Sequence, residues 1–385
     1  MKTVAVGGVL LVLGTVALAT GILPLSDALV LWDRVWPVLL FVIAITVVTE
    51  LAAVAGVFTV VARHVARWGR GRAWMLWMLV VAAATVCTVF LSLDTTAVLL
   101  TPIVIALARQ SGLNPLPFAL TTVWTANAGS LLLPVSNLTN LLAQRAMGDP
   151  TPGEFAALLW PAALAALAMP LLVILLVSGR HLRARYQVPE TAAIEDPVLY
   201  RWSAGTLVVL FPLLVSGVPV WMPAVVAALV LMVVFAVRQR RSLRFGLLPW
   251  RLLVFVSGLF LAVDALHALG LGDALAALVG GGTGAGDLLR MASVGAASAN
   301  FVNNLPAYLA LEPAAGMDPV RLAALLVGVN AGPLILPWGS LATLLWHDRL
   351  VAMGVHVPWK RVIAWGAIAA PLSVVAGALA LVAGA

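Results

Sequence analysis

From Val4 to Leu23 the chain runs without a charged residue, and apolar stretches of this length recur to its end. About 20 apolar residues cross a bilayer as helix. Helix is required because backbone groups in lipid must be satisfied within the segment. The pattern predicts full crossings near 4–23, 37–62, 116–144, 156–177, 203–217, 220–237, 249–268, 320–346 and 361–383. Segments 73–109 and 287–312 are also apolar, but polar residues break each at its middle. Both read as re-entrant hairpins that enter and leave on one side. The alternating short segments of a β-barrel do not occur. The run 4–23 exceeds the usual apolar core of a signal peptide and reads as a retained first span.

Two phrases interrupt crossings in the same way. Residues 127–141 read NAGSLLLPVSNLTNL and residues 330–344 read NAGPLILPWGSLATL, an offset of 330 − 127 = 203. Pro134 and Pro337 lack a backbone donor and clash with the turn before them. Residues that favour a helix start follow each proline: Ser136 and Asn137 in one copy, Gly339 and Ser340 in the other. The hairpin tips carry the same chemistry. SLDTTAV (92–98) offers Asp94 or Thr95 as a cap, and NFVNNLPA (300–307) offers Asn303 or Asn304. Four half-helices then begin inside the membrane, each aiming free N–H groups and partial positive charge at its start. Irregular backbone at that depth is tolerated only around a cavity or inside protein. A polar cavity is expected where the four starts converge.

The order of elements repeats as well. Residues 1–178 run span, span, hairpin, broken span, span, and residues 220–385 run the same way. The segment 179–219 supplies a cytoplasmic loop and a linker helix. The crossings 4–23, 37–62, 116–144, 156–177 and 203–217 separate equivalent points, an odd number, so the second half is expected upside down. The expected fold is an all-α polytopic membrane protein of two inverted-topology repeats, each with a re-entrant helical hairpin and a broken transmembrane helix. Such repeats place a transporter's binding site near the midplane.

Composition agrees: 63% of the 385 residues are hydrophobic and 10% charged, with a mean hydropathy of +1.09. Soluble domains carry roughly 25% charged residues. The net charge of +7 comes from loops. With the N-terminus cytoplasmic, only Arg34, Arg145, Arg290 and Arg321 lie outside, leaving 22 − 4 = 18 of the Lys and Arg inside. That is the positive-inside arrangement of an inner-membrane protein, with the C-terminus outside, and no nucleic-acid partner is implied. The lone Cys87 excludes a disulfide framework or a thiolate metal cage.

The cavity is expected to be lined by Ser92, Asp94, Thr95, Asn127, Ser136, Asn137, Thr139, Asn140, Asn303, Asn304, Asn330, Gly339, Ser340 and Thr343. Their hydroxyls and amides both donate and accept hydrogen bonds. No Arg or Lys falls in that set, so a small neutral polyhydroxy solute or a cation fits better than a multiply charged anion. Asp94 is the one fixed negative charge at a breakpoint, and ionisable groups within membranes are costly and usually functional. It is the expected carrier of a coupling proton. Glu50 and Asp264, in VVTELAAV and LAVDALHAL, occupy matching positions and read as relay residues or as polar helix contacts. No metal site or cofactor is expected. GGGTGAG (280–286) lacks the Lys-Ser/Thr of a phosphate loop, and neither HExxH nor GxSxG occurs, so no enzyme is implied.

LDTTAVLLTPIVIALA, LPVSNLTNLL, ANFVNNLPA and NAGPLILPWGSLATLLW resemble the arsenical pump membrane proteins, the arsenite and antimonite efflux permeases of the ion transporter superfamily. The resemblance covers both halves. It departs in hairpin one, where relatives often have Asn before the aspartate and Gly after it, and this chain has Leu93 and Thr95. The resemblance implies export of trivalent arsenic or antimony across the cytoplasmic membrane in exchange for protons. Some relatives also couple to a soluble ATPase subunit, and that partner and a homodimer stay open. Arsenous acid is a small, largely neutral trihydroxide. One cysteine cannot hold arsenic through three thiolates, so hydrogen bonds must grip the hydroxide form. The alternatives are a sodium-coupled organic-anion carrier, a sodium/proton antiporter on the same fold, and a passive channel for neutral hydroxides.

Overall fold

A computed structural model describes residues 2–188 and 194–384. The described residues fold into α1 (Lys2–Ala19), α2 (Leu25–Val54), α3 (Val57–Trp68), α4 (Ala73–Leu91), α5 (Leu93–Gln110), α6 (Pro115–Ala128), α7 (Leu138–Ala146), α8 (Pro152–Leu182), α9 (Pro197–Leu214), α10 (Trp221–Arg238), α11 (Trp250–Ala268), α12 (Leu271–Val279), α13 (Ala285–Val302), α14 (Asn304–Ala315), α15 (Pro319–Ala331), α16 (Leu341–Ala352) and α17 (Trp359–Gly384). No strand is formed among the described residues; the one extended contact is an isolated bridge between Arg72 and Arg185. Helices α2, α4, α5, α8, α9, α10, α11 and α17 are each long and apolar enough to cross a membrane. The chain is an all-helical, multi-pass membrane protein.

Local sequence sets the helix starts. Thr151 and Glu154 form a reciprocal capping box at the head of α8, with Pro152 at its first position. Asp196 caps α9 and Asp318 caps α15, each accepting two backbone N–H bonds. Packing relies on small residues, which let apolar helices approach when lipid offers no hydrophobic drive between them. Gly7 of α1 and Gly258 of α11 meet backbone to backbone, and a Cβ on Gly258 would lie 2.6 Å from the Leu11 nitrogen. One buried apolar cluster gathers α2–α6 with α9, α10 and α16. A second gathers α8, α11, α13–α15 and the end of α17.

Two expectations are corrected. The segment 37–62 is not one crossing. Helix α2 starts earlier, at Leu25, and stops at Val54; Gly56, at φ +81°, then turns the chain into the separate α3. The apolar run VVTELAAVAGVFTVVA is continuous across the turn, so hydropathy hides it. Helix α3 buries Val57, Phe58, Val60, Ala62, Val65 and Ala66 and exposes Arg67 and Trp68, the habit of a helix lying along an interface. The stretch after the crossing 249–268, read with no element of its own, carries the short helix α12 over Leu271–Val279.

Candidate functional site

Each segment read from the sequence as a hairpin breaks at a single residue. Ser92 joins α4 to α5 with φ 99° and ψ 158°, and Asn303 joins α13 to α14 with φ 107° and ψ 154°. Side chains rarely tolerate that region, which costs about 1–3 kcal/mol per residue. Both residues are held there by hydrogen bonds. Ser92 Oγ accepts from the Thr95 N–H at 3.4 Å. Asn303 Oδ1 accepts from the Leu305 N–H at 3.4 Å, while its Nδ2 donates to the Trp338 carbonyl at 2.9 Å. The cap of hairpin one is therefore Ser92, not Asp94 or Thr95, because the break falls two residues ahead of the acid. In hairpin two it is Asn303; the Asn304 N–H instead donates to the Gly339 carbonyl at 2.9 Å. Beyond Ser92, α5 carries a wide π-turn over Thr96–Leu100, a distortion frequent at functional sites.

The two crossings that carry the repeated phrase are broken as well. Tight turns at Gly129–Leu131 and Pro134–Ser136 separate α6 from α7, and Asn137 caps α7 by accepting from the Thr139 N–H at 3.3 Å. Ser340 caps α16 by accepting from the Thr343 N–H at 3.1 Å. Ser136 Oγ donates to the Val89 carbonyl at 3.0 Å, tying this break to hairpin one.

The breaks then reach across to each other. Asn330 Oδ1, from α15, accepts from Asn137 Nδ2 at 2.9 Å and Thr139 Oγ1 at 3.0 Å, while Asn330 Nδ2 donates to Asn140 Oδ1 at 2.8 Å. Asn127, 203 residues earlier, donates through Nδ2 to Thr343 Oγ1 at 3.4 Å, and Thr343 stands 203 residues after Asn140. The contact is reciprocal but weaker. Ala342 stands where the first copy has Thr139, and Asn127 Oδ1 is buried without a partner.

A cavity of about 540 Å³ opens beside these breaks. Of the expected residues, Ser92, Asp94, Thr95, Asn137, Asn303 and Asn304 line it. Asn127, Ser136, Thr139, Asn140, Asn330, Gly339, Ser340 and Thr343 do not; they are buried behind the wall. Glu50 faces the cavity from α2, together with Thr46 and Thr49. These threonines were missed by sequence reasoning. Their signal is spacing, since Thr46 lies one helical turn before Glu50. Arg251 and Asp348 also line the cavity and both are exposed, so the lining includes a cation that the expected set lacked. Asp264 lies apart, on α11, where the charges of His267, Asp27 and Arg34 act on it. Arg34 was read as an outer-loop residue; it sits in α2 and pairs with Glu312 of α14, which also accepts from the Tyr308 hydroxyl at 3.0 Å.

The comparisons with known proteins fall on this architecture. A family profile described as citrate transporter matches residues 1–343. The chain is 30% identical over 370 residues to the arsenical pump membrane protein of Yersinia enterocolitica, covering 89% of this chain and 85% of that one. The arsenical pump membrane protein of Escherichia coli (strain K12) matches at the same identity and coverage. The crystal structure of the Alcanivorax borkumensis YdaH transporter, titled for its unusual topology, superposes with a TM-score of 0.54 over 99% of this chain and 96% of that one. At 14% identity that likeness speaks for the fold alone. The chain is thus a membrane transporter, not an enzyme, and it belongs to the family of the arsenical pump membrane proteins, within the wider group that the citrate-transporter profile describes.

Proposed function

We propose that the chain exports trivalent arsenite or antimonite from the cytoplasm as the neutral trihydroxide, in exchange for entering protons, by alternating access. The observation that carries this reading is the cavity in which Asp94 and Glu50 face hydroxyl and amide groups placed at interrupted helices. Each cargo O–H needs an acceptor and each cargo oxygen a donor. Asn137, Asn303 and Asn304 offer both kinds of atom, and Ser92 and Thr95 offer hydroxyls. The backbone N–H groups at the half-helix starts add donors.

The direction follows from charge. The cavity mouth is formed by Gly246, Arg251 and Asp348, next to the basic stretches 238–251 and 349–361. Under the positive-inside orientation this is the cytoplasmic face, so the state described is loaded from inside. Asp94 stands in the first turn of α5 and lines the cavity. A proton reaching Asp94 from outside removes its charge, the cargo leaves, and the empty protonated carrier returns. The reciprocal 203-residue contacts support reading the two halves as inverted repeats that exchange roles in this cycle.

The test is metalloid exchange in everted vesicles. Asp94→Asn is expected to abolish proton-coupled arsenite exchange while leaving the protein folded, and unimpaired coupling would remove Asp94 from the mechanism. One observation favours a second reading. Arg251 at the mouth, with the half-helix starts, suits a sodium-coupled carrier of an organic anion. Transport that needs sodium and not a proton gradient would select it.

A further inference from the structure

A second cavity, of about 290 Å³, lies against the middle of α2 and the C-terminal end of α7. The main cavity runs along α2 from Phe41 to Glu50 and meets α7 at Leu138 and Leu141. The second meets α2 at Pro37 and Val38, and α7 at Leu141, Gln144 and Arg145. Leu141 lines both. Between them stand Val38, Phe41 and Leu141, all buried and apolar. Val38 and Phe41 are three residues apart, so they span about 4.5 Å along the axis of α2, a little less than one helical turn.

The second cavity carries several polar groups. Gln144, Arg145, Asp149 and Thr151 contribute its polar groups, and Gln144 Nε2 donates to the Pro150 carbonyl at 2.7 Å. Trp221, which also lines it, packs edge-on against Trp36 with ring centroids 5.5 Å apart. It lies among Asp149–Pro152 and Gly217–Trp221, at the Trp221 end of α10, whereas the main cavity reaches Gly246–Arg251, beyond the Arg238 end.

The geometry points to a release vestibule: a second, outward-facing site for a small polyhydroxy solute, closed from the main cavity by an apolar gate of Val38, Phe41 and Leu141. The cargo assignment rests on the reading above; the vestibule and gate rest on the two back-to-back cavities. Neutral hydroxides form few favourable contacts with aliphatic side chains, so a single apolar layer closes the path without a charged lock.

Cysteine labelling tests this without reference to cargo. The sole cysteine, Cys87, is buried, and Cys87→Ala gives a background for single substitutions. Gln144→Cys should react with a membrane-impermeant thiol reagent only in right-side-out vesicles, and Thr46→Cys only in everted ones. Labelling of Gln144→Cys from the cytoplasmic side, or from neither side, overturns the proposal. Leu141→Trp overfills the gate and should slow arsenite exchange about tenfold or more, while arsenite still protects Thr46→Cys from labelling. Exchange at the unsubstituted rate in Leu141→Trp also overturns it. Should the unsubstituted chain move no metalloid, the cargo reading fails, and the labelling arms still decide the vestibule.

Discussion

Ser92 and Asn303 do two jobs with one backbone conformation. Each ends one helix, starts the next, and turns a polar side chain to the cavity. Two replacements separate the jobs at Ser92. Ser92→Gly loses the side-chain cap at about a few tenths of a kcal/mol, against about 0.5–2 kcal/mol for alanine, and escapes strain of about 1–3 kcal/mol. Ser92→Ala loses the cap and keeps the strain. The glycine variant is therefore expected to melt in detergent at or near the parent temperature, with the alanine variant below it. An alanine variant as stable as the glycine one would contradict the strained geometry. Both should transport poorly, because both lack the hydroxyl. The acidic residues divide too. Glu50 faces the cavity and Asp264 does not. Glu50→Gln is expected to slow proton-coupled exchange more than Asp264→Asn does, as read by metalloid uptake in everted vesicles.

Among elements, the contact between the two broken crossings is unequal, and the inequality is measurable. Asn330 satisfies Asn137, Thr139 and Asn140 together, all buried. Removing its amide leaves buried polar groups unpaired, at about 1–3 kcal/mol for each. Asn127 makes one long side-chain bond across and leaves its own oxygen unpaired. Asn330→Ala should therefore lower thermal stability clearly more than Asn127→Ala; equal losses would contradict the network. This scale also divides what the sequence could show. The breaks were legible because Pro134, Pro337 and the residues after them punctuate otherwise apolar runs. The cap at Ser92 was not, because Ser92, Asp94 and Thr95 are all able to cap and only the backbone chooses. The turn at Gly56 was hidden because apolar residues flank it on both sides. The fourteen expected lining residues divide into a set that lines the cavity and a set packed behind it, and no spacing rule distinguishes a polar group facing a cavity from one that pairs with a distant helix.

At the scale of the whole molecule, two cavities lie end to end along α2 and α7, with the interrupted helices beside the larger one. Overall fold class was readable from hydropathy and from charge asymmetry, since lipid permits few alternatives to helix. The cavities were not, because they depend on which faces of distant helices meet. Close helix contact at Gly258 carries its own expectation. Gly258→Val would push the side chain into the backbone of α1, so detergent-solubilised yield and melting temperature should both fall, whereas Gly205→Val, at a position with open space around it, should leave both nearly unchanged.

The central claim is that this cavity passes a neutral metalloid hydroxide outward against entering protons. The most direct measurement is arsenite uptake into everted vesicles in sodium-free buffer, with and without an acid-inside proton gradient. The account predicts accumulation that requires the gradient, collapses on adding a protonophore and is absent in Asp94→Asn. Equal uptake with and without the gradient, or uptake only when sodium is supplied, would contradict it.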